Sequence, residues 1–283
     1  MGSFTSLLAL DMEQASARKG AVGLLAVVLA LVFIALFGTV GMTAGVAALF
    51  VFAADSPGAP ADRIRGVLVM TVGGALIASV AVWAGTGTVW AATLLTFVIA
   101  GLGTIAAGFG AGAATRGLLL SLWAVVALSF AGDADSSLEV AGAYLVGGLI
   151  AAALLWFQAR TPSGESADAA RADSAPTLAE IVASPLGLFA LVRAAAVGLA
   201  TFLGIELFPE HAIWPALTVV LVLRPKVGDT LEAGVLRTIG TLVGVAAAGA
   251  VVAFADGSDA VVVVAFLVAA FAMVALKDVN YWV

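Results

Sequence analysis

HAIWPALTVVLVLRPKVGDTLEAGVLRTIGTLVG, residues 211–244, decides the fold. It opens with the only histidine of the chain, beside Trp214-Pro215. A short apolar segment, Ala212–Leu223, stops at Arg224-Pro225-Lys226. A polar turn and the amphipathic piece Thr230–Arg237 then lead through Gly240-Thr241-Leu242-Val243-Gly244 into a second apolar segment. Two apolar runs separated by turn residues and basic side chains describe two membrane segments joined on one face by a basic loop.

Composition extends that reading to the whole chain. Of 283 residues, 63% are hydrophobic and 11% charged, whereas a soluble domain carries about 45–50% apolar and about 25% charged residues. The 32 glycines suit helices that pack closely in lipid. This is the composition of an integral membrane protein. The absence of cysteine excludes disulfides and thiol chemistry. A net charge of -6, with the acids mostly in loops and few bases, is no nucleic-acid signature. No cleavable leader is read, because Arg18-Lys19 precede only the first of many apolar runs.

Met1–Gly20 reads as an interfacial lead-in or a tail. Apolar segments follow at Ala21–Phe37, Gly41–Ala54, Val67–Ala84, Val89–Ala107, Leu118–Phe130 and Val140–Phe157. Ala159–Ser174 has the composition of a linker, and Pro176–Glu180 contains a capping box that should start a short helix. Four more segments fall at Leu188–Phe208, Ala212–Leu223, Ile239–Phe254 and Ala260–Leu276. The expected fold is therefore all-α, a polytopic transmembrane helix bundle of six plus at least four helices. The corresponding divisions are residues 1–158, a cytoplasmic linker with a short helix at 159–186, and residues 187–283.

With the N-terminus in the cytoplasm and sides alternating, all 12 Lys and Arg residues lie on or near the inner face. The outer charges are then only acids: Asp133, Asp135, Glu139, Glu206, Glu210, Asp256 and Asp259. That asymmetry satisfies the positive-inside rule with the N-terminus inside; the expected location is the plasma membrane. Spacing also suggests two parallel repeats. Lys19 to Arg63 and Arg193 to Arg237 each bracket two apolar segments, with Gly41-Met42-Thr43-Ala44 falling near Ile213-Trp214-Pro215-Ala216. The second copy ends at Asn280-Tyr281-Trp282-Val283, which reads as the start of a further segment, so this copy is expected to be truncated. The alternative is a ten-helix protein ending in an aromatic anchor.

Four features invite a functional reading, each with a plainer one beside it. Glu206, Glu210 and His211 converge on an outer turn, as a proton-handling group or as solvated interface residues. Trp214 and Pro215 open a short segment whose counterpart contains Met42 and Thr43, and matched short segments point to a transporter binding site. Trp214 is a stacking ring or an interfacial anchor, and Thr218 joins it in the candidate set. Arg193 lies inside an apolar run, where an uncompensated charge costs about 2.5–3.5 kcal/mol on insertion scales; it binds a substrate carboxylate or snorkels inward. Arg224 and Arg237, with Lys226, attract organic anions or set the topology. Gly240 and Gly244 form a helix-packing face. One histidine and no cysteine leave none of the usual zinc sets, and no nucleophile elbow or phosphate loop is present, so neither enzyme nor cofactor is expected.

The stretch from His211 resembles the core of the fusaric-acid-resistance and aromatic-acid-exporter family. The matching elements are His211 with Ile213-Trp214, then Arg224-Pro225, then Arg237-Thr238-Ile239-Gly240-Thr241-Leu242-Val243-Gly244. Ile213 stands where family members often have Tyr, and Pro215 directly after the Trp is less usual. The resemblance implies a proton-coupled efflux carrier for aromatic or hydrophobic organic acids, with lipids and a small organic anion as partners and homo-oligomers allowed. An organic-anion channel and a non-transporting membrane scaffold are the alternatives; flux that follows a pH gradient separates carrier from channel.

Overall fold

A computed structural model of the chain describes residues 17–55, 60–131, 137–159, 176–255 and 258–276. The expected lead-in before residue 17, most of the linker and the Asn280–Val283 ending lie outside the described residues. Two compact units are present, Phe33–Pro225 and a unit formed by Met1–Val32 with Lys226–Val283.

The helices are α1 (Ala17–Ala53), α2 (Pro60–Thr86), α3 (Val89–Ile105), α4 (Ala111–Ala127), α5 (Ser137–Ala159), α6 (Leu178–Ala183), α7 (Pro185–Leu207), α8 (Ile213–Val222), α9 (Val227–Ala255) and α10 (Asp259–Leu276). Among the described residues there is no strand, and 6 helices are long and apolar enough to cross a membrane. The all-α polytopic bundle is thus what forms. The first two apolar segments are two helical stretches of α1 separated by a kink at Gly38, whose φ of 57° is open to glycine but strained for other residues. Thr230–Arg237 and Ile239–Phe254 run instead as one 29-residue helix, α9, because no proline separates them.

Local signals set several boundaries. The expected capping box forms: Glu180 N–H donates to Thr177 Oγ1 at 3.3 Å, and Thr177 N–H donates to Glu180 Oε2 at 2.7 Å. The Thr177 amide holds the Glu180 carboxyl below its usual range. Ser184 caps α7, with Pro185 in its first turn. After α3, a 3-10 turn at Ala106–Phe109 leads to Gly110, whose φ of 112° redirects the chain into α4.

Within Phe33–Pro225, many small residues face inward beside a few large ones such as Trp123, Phe130 and Tyr144, and many large apolar residues face outward. Ala47, Ala75, Ala78, Ala81, Ala124 and Ala127 are buried, while Leu68, Val72, Leu76 and Trp83 form an exposed stripe on α2. This inverts the soluble pattern and suits a bundle bathed in acyl chains. Close approach rests on glycine. A Cβ on Gly103 of α3 would fall 2.4 Å from the Gly117 carbonyl oxygen of α4, and one on Gly147 of α5 would fall 1.9 Å from that of Ala44 in α1. Around Trp123 the packing is aromatic. Its Nε1–H donates to the Gly74 carbonyl at 2.8 Å, and its ring lies 4.7 Å from that of Tyr144.

In the second unit, α9 buries Ala233, Leu236 and Ala255, while residues 241–250 along its middle are exposed.

Candidate functional site

The turn between α7 and α8 is tight. Helix α7 ends at Phe208, a 3-10 turn covers Pro209–His211, and the His211 N–H donates to the Phe208 carbonyl at 2.8 Å. Gly204 lets the strands of this turn touch, since a Cβ there would sit 2.1 Å from the Ala212 carbonyl oxygen. Pro215 is the third residue of α8, where the missing N–H belongs to the first turn and breaks no helical bond. The Trp-Pro pair therefore starts the helix without disturbing it.

This turn closes one side of a cavity of about 390 Å³, lined by Glu210, His211 and Trp214 together with Thr201 of α7 and the facing ends of α2, α3 and α4. Its volume is within the range of small-molecule pockets. Trp214 is 57% exposed, so part of its ring is presented rather than packed. Thr201 ties the cavity to the core: Thr96 Oγ1 of α3 donates to Thr201 Oγ1 at 3.0 Å, and Thr201 donates to the Val197 carbonyl at 3.0 Å.

Helix α8 has 10 residues, about 15 Å, half of the roughly 30 Å hydrocarbon thickness. Its last carbonyls need partners other than helix amides, and Pro225 supplies no N–H. Arg193 meets this need: its guanidinium donates to the Val220 carbonyl at 2.5 Å. A cation at a helix C-terminus also opposes the helix dipole. Arg224 lies close enough for its like charge to act on Arg193, and the Arg193 Nε–H is buried with no partner among the described residues.

The other candidates are distributed differently. Glu206 is exposed and does not line the cavity. Thr218 donates to the Trp214 carbonyl at 2.9 Å, a bond within its own helix. Met42 is half-exposed and Thr43 fully buried on α1, and neither lines the His211 cavity. Arg237 is exposed on α9, in the other compact unit. Composition gave no sign of the Thr96–Thr201 pair, because threonines are scattered along nearly every segment. Nor did it mark Arg193 as a cap, since its partner is 27 residues away.

A bundle whose long helices are apolar on the outside, with a cavity at the mouth of a half-length helix, is a multi-pass membrane protein in contact with lipid. Residues 194–283 match the family model described as Fusaric acid resistance protein-like. The match covers roughly the last third of the chain, from α7 onward, and contains the entire His211–Gly244 stretch on which the resemblance was read. No curated protein and no solved structure matches the chain.

Proposed function

We propose that the chain is a secondary efflux carrier that exports aromatic or other hydrophobic organic acids and is driven by the proton gradient. The observation that carries this reading is the His211 cavity, where the single histidine, Glu210 and a partly presented tryptophan share one wall. An imidazole is a side chain that can take up and release a proton during a transport cycle. An indole ring offers a stacking face to an aromatic acid. The match to a fusaric acid resistance protein-like domain supports transport, and not catalysis, as the role of this site.

In this reading the protein sits in the plasma membrane with the N-terminus inside and the His211 cavity facing out. Residues 1–158 and 187–283 are parallel repeats joined by the linker at 159–186. Met42 and Thr43 occupy the first repeat's counterpart of the Trp214 position. Arg193 and Arg224 hold the path electropositive for the anion, Arg237 is a further basic candidate on α9, and self-association is compatible with the exposed apolar faces. Labelling of single cysteines from outside should reach positions near Ser258 and not those near Asp229.

The decisive experiment is efflux of an aromatic acid from proteoliposomes across an imposed pH gradient. His211→Gln keeps hydrogen-bonding capacity but removes the titration, so it should abolish pH-driven efflux and leave folding intact. Trp214→Ala should weaken substrate affinity by about 0.5–1.5 kcal/mol, the worth of one aromatic stack. Unchanged pH dependence in the Gln variant removes His211 from the mechanism. Flux that persists without a pH gradient in the wild type assigns a channel instead.

A further inference from the structure

A second and larger cavity, of about 630 Å³, lies at the opposite ends of the same helices. It is formed by the start of α2, the end of α3 with its 3-10 turn, and the start of α4, entirely within the unit Phe33–Pro225. Its space exists because glycine takes up little of it. Gly66, Gly103 and Gly117 all line the cavity, and a Cβ on Gly66 would lie 2.5 Å from an Arg116 guanidinium nitrogen. The walls are apolar, with Ile99, Leu102 and Leu120, and one ring, that of the half-exposed Phe109.

Among the described residues, the only charged ones lining this cavity are two arginines, Arg65 and Arg116, and none is a carboxylate. Their neighbour Arg63 shows what a compensated arginine looks like here. It holds Asp55 through two hydrogen bonds, of 3.0 and 2.6 Å. Neither Arg65 nor Arg116 makes an ion pair or a side-chain hydrogen bond among the described residues. Two cations at the rim of an apolar chamber of this size form a complementary site for an anion with an apolar body. Guanidinium groups suit a carboxylate in particular, because their paired donors match its two oxygens.

We infer that this cavity binds an amphipathic carboxylate, its charge between Arg65 and Arg116 and its flat apolar body against Leu102 and Phe109. It would serve as the entry site at the end of the bundle opposite His211. The inference rests on the proposed transport of organic acids only for that last role; the binding itself is independent of it. An anionic phospholipid headgroup shares the same chemistry, and the volume and the aromatic wall favour a compact free acid over a two-chain lipid.

The test is equilibrium binding of 1-naphthoate to the full chain in nanodiscs, once in phosphatidylcholine and once with added phosphatidylglycerol. The uncharged 1-naphthylmethanol serves as the control ligand. The double variant R65Q/R116Q should weaken 1-naphthoate binding at least tenfold, while R63Q should leave it unchanged. Ala113→Phe, which fills the chamber and keeps both cations, should also weaken binding. Thermal unfolding of each variant establishes that it folds. The inference is overturned if well-folded R65Q/R116Q binds 1-naphthoate like the wild type, or if 1-naphthylmethanol binds equally well. It is also overturned, in favour of a lipid site, if phosphatidylglycerol is retained by the wild type and abolishes 1-naphthoate binding. Naphthoate binding without proteoliposome flux keeps this site and rejects transport, whereas pH-driven flux untouched by R65Q/R116Q keeps transport and rejects the entry role of this site.

Discussion

Thr96 and Thr201, 105 positions apart in sequence, share a 3.0 Å hydrogen bond between buried hydroxyls where α3 meets α7. Thr201 donates to the Val197 carbonyl one turn back, and the single hydroxyl hydrogen of Thr96 can go either to Thr201 or to the Ala92 carbonyl, each 3.0 Å away. The interhelical bond is therefore an exchange among satisfied groups, and its worth is small. Side-chain hydrogen bonds between membrane helices average about 0.6 kcal/mol and reach about 1.7. Thr96→Val should cost an amount in that range, and the double variant with Thr201→Val little more than either single change. A double-mutant cycle measured by unfolding in bicelles reads the coupling directly, and strictly additive losses would show that the two hydroxyls do not interact.

Arg193 distinguishes two roles by what its loss changes. As the cap on the Val220 carbonyl, it stabilises the end of α8, and hydrogen bonds to charged groups contribute about 1.5–3 kcal/mol. Arg193→Gln should lower stability within that range and speed amide exchange over residues 219–223, with Arg193→Lys intermediate. A pure substrate role would raise KM in efflux while exchange at α8 stayed as in the wild type.

Two glycines should behave in opposite ways. Gly103→Ala drives a methyl group into the backbone of α4 at Gly117, and the helices must separate. The expected loss is about 1–3 kcal/mol or more, seen as poor yield of folded protein. Gly142 on α5 has open space where its Cβ would stand, so Gly142→Ala should stabilise by about 0.4–1 kcal/mol through the unfolded chain. Equal melting temperatures for the two variants would contradict the close contact of α3 and α4.

The capping box of α6 carries a pH signature. Hydrogen bonding to the Thr177 amide lowers the Glu180 pKa in the folded state. Its contribution is complete above the ordinary glutamate value of about 4.3, and it is lost as pH falls through the lower folded value. Hydrogen exchange of residues 178–183 should therefore quicken in acid relative to neighbouring α7. In Glu180→Gln that pH dependence should vanish. An identical acid response in the Gln variant would assign the effect to another group.

Much of the fold was legible because a bilayer demands long apolar segments, and charges and prolines mark where these end. Arg224-Pro225 follow directly on Leu223, the C-cap of α8, and the Thr177–Glu180 pattern starts α6 as its spacing requires. What hydropathy left hidden was continuity. Helix α9 passes through Arg237 without a turn, since one charged residue need not interrupt a helix, whereas the break expected between the first two segments is present at Gly38. Of the site, His211, Glu210 and Trp214 were visible because rare residue types cluster within four positions. Arg65 and Arg116 were read only as topology determinants. Their shared cavity depends on α2 and α4 packing side by side, a relation that no local pattern in the sequence encodes.

The half-length of α8 has an electrical consequence. One cavity indents the bundle from the His211 end and another from the Arg65 end, and on α3 their lining residues Ala92 and Ile99 are only about two turns apart; with water in both cavities, the insulating protein between them is thinner than the bilayer. Membrane voltage falls across insulating material, so it concentrates over that thin septum. An anion carried from one cavity to the other would experience most of the drop, worth about 2.3 kcal/mol per charge for each 100 mV. In the orientation we propose, which puts the Arg65 cavity on the negative inner side, the resting potential would itself push organic anions outward, adding to the proposed proton drive.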